Sequence, residues 1–189
     1  MNRLSSLCWF IPALWSFILL DTGCVHKIHV APEPQVVAQT PIPHSVQVIV
    51  PFLALEGADH MPGIALLKWP AEDLRAAAIG YIQQRRTFVS VGDASSDFTM
   101  TMKAWLSMLS RSEYRYILRL ETDLGPGGKP ALKSYVVQKE AVGSSVRWVT
   151  ASDRNPIAQA VQDAFDDLFT QIEADHALYR TSRSVEGRN

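Results

Sequence analysis

Asp163, Asp166 and Asp167 are spaced so that the first faces the other two across one helical turn, within reach of a shared metal ion. The same spacing also describes a solvated acidic face opposite a core stripe, which needs no ligand. Asp59-His60 and Asp175-His176 each set an imidazole beside a carboxylate, the raw material of acid–base chemistry, but neither pair has a third group tied to it. His26 and His29 lack the two further ligands that a metal site requires. Ser95, Ser96, Ser144 and Ser145 stand in turn-like surroundings without a G-x-S-x-G pattern or a linked histidine. "GPGGKP", 125–130, has glycines and a lysine without phosphate-loop spacing, and it leads into a strand. These residues point to no catalytic residue, no metal and no cofactor, so the chain is expected not to be an enzyme. What is left is a thiol, Cys24.

Arg3 is the only charge before Asp21, and Leu7 to Leu20 is an uncharged stretch of about fourteen residues, the layout of a secretory signal peptide. Counted back to Leu4 the stretch reaches about seventeen, which leaves an uncleaved membrane anchor open alongside an ordinary cleaved leader. Thr22 and Gly23 directly before Cys24 resemble the lipobox of bacterial lipoproteins, although Asp21 occupies the place where that pattern has Leu. The resemblance implies a leader over 1–23, lipid on Cys24, and a chain held to a membrane through that lipid. Val25 after the cysteine is similar to lipoproteins sorted to the outer membrane of a two-membrane envelope, facing the periplasm. The other cysteine, Cys8, lies in the apolar stretch and would leave with it. The mature chain then has no disulfide, and its core alone must hold it.

The 189 residues suit one domain with extra pieces, and a net charge of −1 offers no global attraction to nucleic acid. Residues 24–44 carry Pro32, Pro34, Pro41 and Pro43 without helical or strand period, and read as an extended linker with a reach of about 60 Å. The domain is expected over 45–178, with a frayed tail over 179–189. "SVQVIVPF", 45–52, reads as a strand, and 55–69 as an unusually long loop. Pro70 fits the first position of a helix that carries Leu74, Ala78, Tyr81 and Ile82 on one face and ends near Arg86. Gly80 inside it implies a close approach to a sheet. A strand over 87–93 follows.

The clearest pattern comes next. Phe98, Met100, Met102, Ala104, Leu106 and Met108 alternate with more polar residues, and a mirror strand carries Tyr114, Tyr116, Leu118 and Leu120, with a turn at 110–112. Further strands read over 132–139 and 145–150. Asn155 and Pro156 open a last helix with Ile157, Val161, Phe165, Leu168 and Ile172 on one face. Together these predict an α+β two-layer sandwich, a mainly antiparallel sheet with two helices packed on one face. If the helices cover the apolar alternates, the opposite face presents Lys103, Trp105, Arg115, Ile117, Arg119, Lys133, Tyr135 and Val137. Of these, Lys103, Trp105, Arg115, Arg119 and Tyr135 are candidate partner-binding residues, because Trp, Tyr and Arg are enriched where proteins meet.

"DFTMTMKAWLSML" followed by "YRYILRLETDL", behind a lipobox-like cysteine and a Pro-rich stretch, resembles the auxiliary lipoproteins of ABC-type envelope transport systems and the LPS-assembly lipoprotein family. The resemblance covers most of 45–174. It implies a noncatalytic accessory subunit that binds a protein partner in a membrane transport or assembly complex. The alternative is a periplasmic binding module for lipid or cell-wall material, with 55–69 framing a pocket.

Overall fold

The computed structural model describes residues 25–56, 66–110, 114–143 and 154–180. The strands are β1 (Val25–Lys27), β2 (Ile42–Glu56), β3 (Leu66–Lys68), β4 (Phe88–Val91), β5 (Phe98–Ser110), β6 (Tyr114–Pro126) and β7 (Lys133–Gly143). The helices are α1 (Ala71–Arg85), α2 (Arg154–Ala174) and α3 (His176–Arg180). Five strands form one sheet in the order β4-β2-β5-β6-β7, and β1 and β3 form a separate parallel ribbon. The β5, β6 and β7 pairings are antiparallel and those of β2 with β4 and β5 parallel, so the sheet is mixed and mostly antiparallel. The expected α+β sandwich is therefore the fold.

Period-two patterning explains the sheet. Met100, Met102, Ala104 and Leu106 of β5 and Leu118 and Leu120 of β6 are buried on the side where α1 and α2 lie. Tyr81 of α1 stacks on Phe169 of α2 with ring centroids 5.1 Å apart and meets Phe165 edge-on at 5.3 Å. Leu74, Ala78, Ile82, Val161, Leu168 and Ile172 fill the rest of that layer, all fully buried. Val46 pairs with Val91 on one side and Phe98 on the other, so 92–97 carries the chain from one flank of β2 to the other. Ser45 and Asp97 fix that crossing by mutual hydrogen bonds of 2.9 and 3.0 Å.

Several expectations are corrected. The stretch read as a free linker is packed on the domain from residue 28 onward. Ile28, Val30, Ala38 and Ile42 are buried, and the backbone N–H groups of Ile28, Ala38 and Ile42 donate to the carbonyls of Lys68, Arg85 and Thr87 at 2.7 to 2.8 Å. A segment without period can still bury apolar residues singly when its backbone finds partners outside a regular ladder. The tail read as frayed from 179 begins inside α3, where Tyr179 is fully buried against Phe98. A Cβ built at Gly80 would meet nothing within 4 Å, so no sheet approaches there. β2 is longer than expected at both ends and tolerates Pro51 at a bulge, beyond the four residues of β4 on that flank. The turn at 111–113, most of the long loop (57–65) and the strand expected over 145–150 lie outside the described residues.

Candidate functional site

The face of the sheet away from the helices is built from the alternate residues of four strands. Register aligns them in rows: Phe52, Lys103, Glu121 and Val136; Ala54, Trp105, Arg119 and Gln138; Glu56, Ser107, Ile117 and Glu140. Trp105 is the centre. Its ring meets Phe52 at 5.3 Å between centroids, and the Arg119 guanidinium lies over the same Trp105 ring, 5.7 Å from its centroid. Ile49, Phe52, Leu109, Val136 and Val142 are exposed around it, an apolar presence that water does not favour. Between them lies a shallow depression of ≈ 610 Å³ lined by Glu56, Trp105, Ser107, Leu109, Ile117, Arg119, Glu121 and Gln138.

Lys103, Trp105, Arg115 and Arg119 stand on this face as the alternation predicts. The basic character expected of it is tempered, however. Arg119 pairs with Glu121, Arg115 with Glu140 at 3.0 Å, and the Glu56 carboxylate accepts from Ser107 at 3.2 Å. The arginines thus arrive with acids beside them, and the face is amphipathic with paired charge.

Tyr135 is a correction. It is 2% exposed and points to the helix side, as does Val137. Its hydroxyl donates to Asp175 at 3.0 Å and bonds Tyr179. Burial, then the bond to Tyr179, pushes its ionisation far above the ordinary tyrosine value. Lys133 shares that side and pairs with Asp175. The physical reason is phase: Tyr135 lies opposite buried Thr122, and Val137 opposite buried Leu120, so this strand turns its odd-numbered residues inward.

The acids of α2 are occupied by the protein itself. Asp163 accepts from Gln159 at 2.7 Å. Asp166 accepts from Tyr81 and from Gln162, and Asp167 from Gln171 and from Lys139, which together hold the Asp167 carboxyl below its ordinary range. Among the described residues no group of three or more His, Cys, Asp or Glu is placed to hold a metal ion. Ser95 donates to Asp93 at 2.7 Å within its turn, and His176 sits 3.0 Å from the carbonyl of Glu173. Asp59, His60, His26's side chain, Ser144, Ser145 and Cys24 lie outside the described residues. Among the buried polar groups that residue types alone did not single out is His44, whose Nδ1 lies 3.6 Å from Asp97 and whose ring packs on Phe98 at 5.0 Å.

A two-layer α+β sandwich with an open amphipathic sheet face is thus the class of structure. No protein-family model and no curated protein sequence matches the chain. Among solved structures it is similar to protein XCC0632 of Xanthomonas campestris, of the DUF330 family, with a TM-score of 0.56 and 15% identity over 81% of this chain and 97% of that one. It is also similar to hypothetical protein CT253 of Chlamydia trachomatis, with a TM-score of 0.53 and 10% identity over 74% and 99%. These two likenesses establish the shared fold. Structures described as bacterial lipoproteins are among the neighbours too, including a minor lipoprotein of Acinetobacter baumannii with a TM-score of 0.48, 10% identity and coverage of 69% and 93%. No helix among the described residues is long and apolar enough to cross a membrane.

Proposed function

We propose that this chain is a noncatalytic lipoprotein of the bacterial envelope, lipid-anchored at Cys24, that serves as an accessory subunit of a membrane transport or assembly complex. The open sheet face binds its protein partner. The observation that carries this reading is the Phe52–Trp105–Arg119 cluster, an aromatic pair with a guanidinium beside it, ringed by exposed Ile49, Leu109, Val136 and Val142. Such clusters contribute much of the binding energy where proteins meet, and rim residues that exclude water add to them. The leader and lipobox-like residues support the anchor, and Val25 supports the outer membrane as its address.

The alternative, a module that encloses lipid or cell-wall material, needs room between the layers. Tyr81, Phe165, Leu168 and Phe169 fill that space with fully buried side chains, which favours the adaptor.

The test is cross-linking in intact cells followed by affinity recovery. Trp105→Ala and Arg119→Glu each should lower partner recovery at least tenfold, since loss of a central anchor costs about 2 kcal/mol or more. Neither should shift the melting temperature by more than a few degrees. Undiminished recovery with both variants removes the open face from the function.

A further inference from the structure

The packed N-terminal segment changes what lipid on Cys24 can do. A free linker would let the domain stand tens of ångströms from the bilayer, but here the residue bonded to Cys24 is already in register. Val25 pairs with Leu66, His26 with Leu67 and Lys27 with Lys68, and the next residue, Ile28, is buried with its N–H bonded to Lys68 at 2.7 Å. An extended chain spans at most about 3.6 Å per residue, so lipid attached at Cys24 would keep Lys27 within roughly 10 Å of the attachment point, about one Debye length at 0.1 M salt. Lys27 and Lys68 are both exposed, and neither enters an ion pair among the described residues.

Topology says which end of the domain this is. The ribbon of β1 and β3 leads through Trp69 and Pro70 into the first turn of α1, where His29 lies 3.8 Å from Asp73. β2 and β4 run parallel with α1 between them in the chain, so α1 starts toward the end of the sheet where β2 finishes, and Glu56, Ser107 and Ile117 form one row of the open face toward that end. The loop 127–131 is at the other end of β5, beside Phe98, about 30 Å from the Ser107 row along nine strand residues.

We propose that the β1–β3 end of the domain rests on the bilayer surface, with Lys27 and Lys68 against anionic lipid headgroups, so that the Trp105–Arg119 face meets a membrane-proximal partner. This rests on acylation of Cys24 as proposed above. Two basic side chains at the anchoring point add attraction to an anionic leaflet that a single-site lipid attachment lacks. The covalent anchor fixes the distance and the lysines fix the tilt.

The experiment uses the full acylated protein in phosphatidylethanolamine vesicles containing phosphatidylglycerol and headgroup-nitroxide lipid, with a fluorescent label at His29→Cys or at Ala131→Cys. Quenching at position 29 should exceed that at 131 at least threefold. Lys27→Glu with Lys68→Glu should cut the quenching at 29 at least twofold. Equal quenching at 29 and 131 in protein whose acyl chains are verified by mass spectrometry overturns the placement and leaves the anchor standing. Quenching at 29 that ignores the charge reversal overturns the headgroup contact, and a bare Cys24 thiol removes the anchor and this inference together.

Discussion

Arg85 reaches from the last turn of α1 under α2, where Nε and a terminal nitrogen donate to Glu173 at 2.7 and 3.0 Å. The same guanidinium bonds Thr170 at 3.1 Å and the Tyr81 hydroxyl at 3.2 Å, while Thr87 donates to Glu173 at 2.8 Å. Every polar atom in this buried knot has a partner, so it fixes the register of α1 on α2. Burial, then the bond to Asp166, pushes the Tyr81 hydroxyl well above its ordinary ionisation. Removing one member strands the rest. Arg85→Ala should destabilise by about 3 kcal/mol in urea unfolding, at the lower end for a broken buried pair because Glu173 is partly exposed; a loss under about 1 kcal/mol would refute the role. Asp175 behaves differently, because it is closer to water. The bond from Lys133 first, against a smaller desolvation, and then that from Tyr135, hold its carboxyl below the ordinary 3.8. A lowered folded-state value stabilises above the unfolded one and is lost as pH falls through the folded one. The melting temperature of Asp175→Asn should therefore lie below that of the unaltered chain at pH 7, with the gap closing as pH falls from 3.8; a gap constant with pH would sink the assignment. Neither knot was legible in sequence, because Arg85 and Glu173 are 88 residues apart and only the fold makes them neighbours.

At the scale of elements, legibility follows period. The hairpin of β5 and β6 alternates so cleanly that its inner and outer faces, and with them Lys103, Trp105, Arg115 and Arg119, could be assigned from residue types alone. α1 and α2 were legible for the same reason, with apolar stripes and a proline near each start. β7 shows the limit of this logic. "KSYVVQKE" places apolar residues at both parities, Tyr135 and Val137 on one and Val136 on the other, so alternation alone leaves the face undecided. The sequence reading sets Tyr135 on the open face with Lys133 and Val137, yet a buried tyrosine is satisfied when its hydroxyl finds a partner, here Asp175 and Tyr179. α3 was missed because five residues carry too little pattern to distinguish a docked turn from a frayed end. Tyr135→Ala should accordingly cost about 3 to 5 kcal/mol of stability through the cavity it leaves, whereas a residue of the open face would cost little. A variant that melts like the unaltered chain while losing its partner would return Tyr135 to the binding face.

For the whole molecule, the N-terminal segment is part of the fold and closes the helix layer. Residues 28–42 follow α1 from its first turn to its last: His29 lies by Asp73, Ala38 bonds the carbonyl of Arg85, and on the way Glu33 exchanges two hydrogen bonds with Gln162 of α2 at 2.9 and 3.0 Å. Ile28, Val30 and Ala38 join the core or its margin from this side. Its prolines, scattered without period, describe a chain that is extended but say nothing of whether it is free or laid down, which depends on whether the folded layer offers a matching groove and carbonyls. A protein starting at Thr40 therefore lacks more than a tether. Burying Ile28 and Val30 is worth about 1.5 to 3 kcal/mol each relative to exposure, an upper bound given a compact unfolded chain. With the lost bonds to Lys68, Arg85 and Gln162, such a protein should be less stable by about 3 kcal/mol or more than one starting at Val25. That difference lies within the total stability of an ordinary domain and should lower the melting temperature by about 6 °C or more. Both proteins lack residues 1–24, so the comparison is independent of acylation. Matching melting curves would free residues 25–39 from the fold.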